Sequence, residues 1–143
     1  MNPNYIHTIT VYNRMKAKDT ATKKEEWYKT VIPDCSWRCS TEDIQQQVQS
    51  GITNRDQKEI YIVRVPRNEK FRSYEEWKKA PAEYFALSKQ DIIILGECQD
   101  EITGISPDTA TEVMQRHKPD AFLIRSFADN TSHLVGKHYK VGG

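Results

Sequence analysis

The first residues alternate. In Tyr5–Tyr12 (Y-I-H-T-I-T-V-Y), Ile6, Thr8, Thr10 and Tyr12 fall on one face, and His7, Ile9 and Val11 on the other. β-Branched residues dominate and both faces carry apolar side chains, which predicts a strand with cover on each side. Glu25–Cys39 alternates again, with Trp27, Lys29 and Val31 opposite Tyr28, Thr30 and Ile32. Pro33 has no N–H to give a ladder, so an edge, bend or bulge is expected there. The charged segment Arg14–Glu26 between these strands lacks Gly and Pro and reads as a long hairpin connection.

Thr41–Gln57 is polar, with Ile44, Val48 and Ile52 spaced by four. That spacing allows a short helix capped by Thr41, and equally a hairpin with Gly51 near its tip. Lys58–Pro66 is a predicted strand. Ser73 followed by Glu76 has capping-box spacing and predicts a turn or two of helix before Pro81. Ile92–Leu95 is a short apolar strand closed by Gly96. Asp108–His117 has early acids, a late Arg116-His117-Lys118 cluster and the stop Pro119, which together predict the clearest helix. Ala121–Phe127 is a further strand and Leu134–Val141 an extended arm. The expectation is a mainly β (α+β) fold. It is a small β-barrel or sandwich of about six strands with one helix and long loops, spanning 1–128, with a C-terminal arm over 129–143. No repeat or heptad pattern is present.

Composition narrows this further. The chain has 143 residues, 37% hydrophobic and 29% charged, with a mean hydropathy of -0.77. One lean core is affordable, and some segments are expected to need a partner. A net charge of +1 gives no global pull toward nucleic acid or an acidic membrane. Locally the charges separate: Arg14–Lys29 holds six Lys/Arg and three Asp/Glu, whereas Glu97–Glu112 holds five acids and no Lys/Arg. Three cysteines, a polar Met1-Asn2-Pro3-Asn4 start and no apolar run long enough to span a bilayer lead to the expectation of a reducing, cytoplasmic setting without membrane contact.

Candidate chemistry is sparse. Cys35-x3-Cys39 with His7 or His133 has tolerable zinc spacing but no second ligand pair, so packed thiols are favoured. Cys98 with His117 or His133 could form a nucleophile pair, yet Glu97, Asp100 and Glu101 beside it would raise a thiol's pKa. Those three acids could take a hard cation, but no D-x-D-x-D-G loop accompanies them. Arg64–Tyr74 mixes Arg64, Arg67, Lys70 and Arg72 with Phe71 and Tyr74. This suits a single-stranded nucleic-acid surface, and better a subunit interface. No catalytic or metal-ligating set and no cofactor are expected. A nucleic-acid module at Arg64–Tyr74, or a small enzyme around Cys98, Glu97 and His117, are the alternatives to a structural protein.

Three segments together resemble small head–tail connector proteins of tailed bacteriophages and prophages of Gram-positive bacteria. They are His7–Pro33 with its W-Y-K-T-V-I-P strand, Ser88–Glu97 (S-K-Q-D-I-I-I-L-G-E), and Arg125–Asn130 followed by His138–Val141. The second is similar to the G-D-hydrophobic-Gly strand of head-closure proteins, with Gln90 in place of Gly. The segment Thr41–Gln57 and the helix Asp108–His117 lie outside that pattern. The resemblance implies a small β-barrel without catalytic activity. It would assemble as a homo-oligomeric ring between portal or adaptor and tail proteins, let DNA pass non-specifically, and reside in the virion neck after assembly in the host cytoplasm. It implies a barrel core of Ile6, Ile9, Val11, Ile60, Ile62, Val63, Ile92, Ile94, Leu123 and Ile124. Gln45, Gln46, Gln47, Gln49 and Asn54 would line the channel. Lys16, Lys18, Lys23, Lys24, Arg64, Arg67, Arg72, Glu97, Asp100, Glu101, His138 and Tyr139 would face neighbouring subunits, the terminal arm pairing with a neighbour's edge.

Overall fold

The computed structural model describes residues 5–47, 53–132 and 137–143, and gives the backbone alone for 41–47 and 53–59. The fold is mainly β, as the alternation predicts. Its strands are β1 (His7–Met15), β2 (Glu26–Gln47), β3 (Thr53–Pro66), β4 (Ile92–Leu95), β5 (Ala121–Leu123), β6 (Ser126–Asp129) and β7 (His138–Gly142). A single turn of helix, α1 (Tyr74–Trp77), and the longer α2 (Ala110–His117) complete it. The strands are antiparallel, in the order β5-β4-β1-β2-β3-β7-β6.

β2 makes one corner. Up to Cys35 it pairs with β1, and from Ser36 it pairs with β3. The change falls beside Pro33, at the expected irregularity. Asp34 adopts φ 59° and the β1–β2 register shifts between His7 and Ile9. A strand that switches partner at a bulge turns the sheet through an angle.

The other corner follows from chain length. β5 and β6 lie at opposite edges of the strand order, yet only Ile124 and Arg125 separate them. Laid flat at about 4.8 Å per strand, those edges would be roughly 29 Å apart, whereas three residue steps reach at most about 11 Å. The sheet therefore curls into a half-barrel. Tyr61 of β3 and Phe122 of β5 stack across the gap at 4.9 Å, and Arg125 N–H donates to Gly142 O at 2.8 Å.

The barrel interior holds Ile9, Val11, Ile32, Cys35, Val63, Val65, Phe85, Ile93, Ile124 and Val141, among others. The opposite face of β1 and β4 is covered as well. Tyr12, Ile92, Ile94, Cys98 and Ile102 pack there under Val113 of α2. This double cover explains why β1 is apolar on both faces. It also divides the expected core: Ile92 and Ile94 belong to the outer layer, Leu123 is half-buried beside it, and Ile60 and Ile62 are half-buried. Ile6 is 74% exposed because it precedes the first ladder pair and has no strand over it among the described residues.

A third cluster packs Met15, Trp77 and Ala86 with Tyr28, Tyr74 and Tyr84. Beside it lies a buried polar network. Asn13 Nδ2 donates to Ala86 O and, at 2.8 Å, to Asp91 Oδ2, while Ala86 N–H donates back to Asn13 Oδ1 at 3.2 Å. Asp91 also accepts from the N–H groups of Arg14 (2.9 Å) and Ser88 (3.0 Å). Burial pushes the Asp91 carboxyl up to about 6, against the downward pull of these donors.

Of the two readings open for Thr41–Gln57, the described residues follow the hairpin: 41–47 and 53–57 are its paired strands. Two expected features differ. The expected strand Ala121–Phe127 breaks into β5 and β6, because Ile124 turns into the core at the corner. The C-terminal segment is not a separate arm. β7 lies between β3 and β6, with Tyr139 and Val141 buried, because those two strands offer it both a ladder and an apolar floor.

Candidate functional site

Two features stand out, one built from backbone and one from side chains. The first is the distal half of the β2–β3 hairpin. β1 pairs with β2 only as far as Cys35, and the ladder of β7 on β3 begins at Ile62. The eight pairs from Ser40↔Ile60 to Gln47↔Thr53 therefore carry no third strand among the described residues. At about 3.4 Å per residue they form an arm roughly 25 Å long. Gln45, Gln46, Gln47 and Asn54 lie along its far end, with Gln45 opposite Arg55 and Gln46 opposite Asn54. Gln49 lies outside the described residues.

The second feature lies on the outer face of the barrel, where the loop after β4 meets the C-terminal end of α2. Thr109 caps α2. Its hydroxyl accepts from Glu112 N–H at 3.3 Å, and the helix then places Arg116 and His117 on its last turn. The incoming loop is tied to β1. Thr10 Oγ1 donates to Gly96 O (2.7 Å) and accepts from Cys98 N–H (2.9 Å), while Tyr12 Oη donates to Asp100 O (2.6 Å). Burial is the main reason that the Tyr12 hydroxyl is held far above its ordinary pKa, so it remains a donor.

These ties bring Cys98, Asp100 and His117 together. Cys98 Sγ lies 3.3 Å from His117 Nε2, and Asp100 Oδ2 lies 2.7 Å from the same nitrogen. Arg116 Nη1 adds a 2.8 Å bond to Asp100 Oδ2, and Arg116 Nη2 reaches Pro107 O and Asp108 Oδ1. Hydrogen bonds from His117 and Arg116 hold the Asp100 carboxyl below its usual range. Cys98 is 4% exposed, whereas the side chains of Asp100 and His117 are about a third open to solvent, at 32% and 30%.

In the sequence, the acidic neighbours of Cys98 argue against a Cys98–His117 pair, and Asp100 reads as part of an acidic cluster. The structure joins the pair and recruits Asp100 to it, while Glu97 stays outside, exposed and accepting from Gln99 at 3.3 Å. The available signal was Cys-x-Asp on a loop after one strand with a His ending a nearby helix. The arrangement is not a nucleophile–base–carboxylate relay. In such a relay the carboxylate orients the histidine through the ring nitrogen that the nucleophile does not use. Here thiol and carboxylate meet one nitrogen. The other thiols lie elsewhere: Cys35 is buried in the barrel, where burial pushes its pKa up to about 12, and Cys39 is exposed on β2.

The remaining predicted interface residues are distributed unevenly. Lys16, Lys18, Lys23, Lys24, Arg67, Glu97 and Glu101 are exposed. Basic and acidic zones are not kept apart for neighbours, because Lys29 bridges to Glu101 at 3.0 Å within the chain. Arg64 and His138 are half-buried in the ladders of β3 and β7. Tyr139 is 7% exposed and stacks on Phe71 at 4.1 Å, so it belongs to the chain's own core. Arg72 folds back onto Glu69 O and Phe71 O and lies 4.3 Å over the Tyr84 ring. Phe71 packs among Phe85, Phe127 and Tyr139, and Tyr74 bonds Asp19 at 2.6 Å. The aromatic faces proposed for base stacking in Arg64–Tyr74 are thus already in use.

Fold and site together define a mainly β half-barrel that carries a projecting two-stranded arm and a thiol–imidazole–carboxylate cluster. Over residues 5–143 the chain matches, and belongs to, a family of unknown function, DUF6751. No curated protein and no solved structure matches it. Among the described residues, no helix is long and apolar enough to cross a membrane.

Proposed function

We propose that this protein is a non-catalytic structural subunit of a phage head–tail connector, working through its β2–β3 arm. The observation that carries this reading is the arm itself, eight residue pairs with no third strand among the described residues. A lone two-stranded hairpin is at best marginally stable in water. A chain that extends one this far has a use for it in contact with another molecule. Copies in a ring would bring their arms together around the axis. The composition suits a DNA passage: Thr41–Gln57 contains Glu42, Asp43 and Asp56 against the single basic residue Arg55. Such a surface does not neutralise phosphates and so does not retain DNA. Portal, adaptor or tail proteins are the partners this reading implies.

The test compares the full chain with a variant in which residues 41–59 are replaced by Asn-Gly, joining Ser40 to Ile60 through a tight turn. Both are expressed with the head and tail proteins encoded beside the gene. The full chain should co-purify with head particles and appear at the portal vertex by electron microscopy. The trimmed chain should fold, with a cooperative thermal melt and a β-type circular dichroism spectrum, but fail to join heads to tails. Particles that lack the full chain, or heads and tails that join equally well with the trimmed one, would overturn the proposal.

A further inference from the structure

We propose that Cys98, Asp100 and His117 bind a zinc-type divalent metal ion at the junction of the β4 loop and α2. The three side chains leave a hydrogen-bonding conflict at one nitrogen. His117 Nε2 has one in-plane position, which either donates one proton or accepts one. It lies 2.7 Å from Asp100 Oδ2 and 3.3 Å from Cys98 Sγ. If Nε2 carries the proton, the carboxylate is satisfied and the thiol has no acceptor there. If Nε2 is bare, it can accept from the thiol but faces the carboxylate's lone pairs. A cation among the three atoms satisfies all of them at once.

The spacing fits. The three donor atoms all lie within 4.8 Å of one another. Zinc bonds of about 2.3 Å to sulfur and about 2.0–2.2 Å to nitrogen and oxygen place tetrahedral ligand atoms roughly 3.3–3.6 Å apart. Asp100 Oδ2 stands 2.7 Å and Cys98 Sγ 3.3 Å from His117 Nε2, so an outward shift of the carboxylate by about 0.6 Å and of the sulfur by about 0.2 Å brings both pairs to that spacing. Asp100 and His117 are open to solvent on one side, so water or a partner's side chain can fill the fourth position.

The donor set selects the metal class. A thiolate and an imidazole favour zinc and its neighbours, and disfavour magnesium and calcium, which seek oxygen. On binding, the Cys98 S–H bond breaks, a sulfur–metal bond forms and the proton passes to solvent, with no change in oxidation state. With Asp108 offsetting the charge of Arg116, thiolate and carboxylate balance the ion's two positive charges. The supporting groups are already in place. Thr10 and Tyr12 fix the loop backbone at Cys98 and Asp100, and Arg116 fixes the carboxylate. Such groups orient metal ligands in established sites.

This inference is independent of the connector reading, since it concerns a different face and a different measurement. The full chain would be purified under reducing conditions, stripped with chelator and titrated with cobalt(II), then with zinc(II). One equivalent of cobalt should give a near-ultraviolet thiolate-to-cobalt charge-transfer band and the intense visible bands of a tetrahedral ion, and zinc should displace both. Cys98→Ser should abolish the charge-transfer band and weaken binding at least about tenfold. Cys39→Ser should leave both unchanged. If Cys98→Ser does not fold, His117→Gln, at a partly exposed position, should weaken cobalt binding at least about tenfold, the thiolate still giving its band at saturation. Absence of the band at saturating cobalt, a band that survives Cys98→Ser, or undiminished affinity in His117→Gln would overturn the proposal.

Discussion

Replacing Asn13 with alanine tests whether the buried polar network holds β1 to the segment that precedes β4. Asn13 is 1% exposed, and its side chain serves both the C=O and the N–H of Ala86 as well as Asp91. Truncation leaves two buried backbone groups of Ala86 without their partners, each at a cost of about 1–3 kcal/mol. Asp91 is less affected, because Ser88 and Arg14 still donate to it. The expected loss is therefore about 4 kcal/mol, a large fraction of the roughly 5–15 kcal/mol that stabilises a typical domain. With a urea m-value of about 2 kcal/mol/M, the unfolding midpoint should fall by roughly 2 M. Equilibrium urea denaturation followed by tryptophan fluorescence and circular dichroism measures this directly. A loss below about 1 kcal/mol with an unchanged slope would refute the reasoning, since it would mean the Ala86 groups find other partners at little cost.

Asp91 supplies a pH prediction of the less common sign. Its folded-state carboxyl is raised to about 6 from 3.8, so over that window the native state holds more protons than the unfolded chain. Asp91's contribution to stability should fall by about 2 kcal/mol as pH rises from roughly 4 to 6.5, and urea midpoints that rise over this range would contradict the assignment. Trp77 is fully buried, and its Nε1–H has no hydrogen-bond partner among the described residues. Trp77→Ala should cost about 3–5 kcal/mol, whereas Trp77→Phe, which removes the orphaned donor, should cost under about 1.5 kcal/mol; equal losses in thermal melts would sink the distinction. Asp34 is exposed with φ 59°. Asp34→Gly should raise stability by up to about 1 kcal/mol and Asp34→Val should lower it by about 1–2 kcal/mol, both readable from urea midpoints.

Much of the barrel is legible in the sequence where local chemistry decides it. β1 and β4 follow from alternation and β-branching, and the bulge follows from the missing N–H of Pro33. The helix at 108–117 is legible in kind but starts two residues later, because its N-cap is Thr109 and not a residue before Asp108. What was not legible depends on partners distant in the chain. The His138–Gly142 alternation marks a strand, with Tyr139 and Val141 inward. Nothing local says that β3 and β6 leave a place between them. Ile124 reads as one more strand residue until the corner it turns is known. Polar spacing left Thr41–Gln57 undecided between helix and hairpin, and the ladder that settles it continues from the apolar pairing of Trp37 with Val63. The sequence neighbours of Cys98 point away from His117, and the groups that bring the two together come from β1.

The arm has a mechanical consequence. Its two strands run without interruption into the barrel wall, β2 along β1 and β3 along β7. Antiparallel ladder bonds lie perpendicular to the strands. A pull on the arm along its axis therefore loads the β7 ladder in shear, its bonds sharing the force, and does not unzip them one at a time. A sideways pull meets the corner at Pro33–Asp34, where β2 changes partner from β1 to β3. The molecule is built to be stiff along the arm and compliant across it.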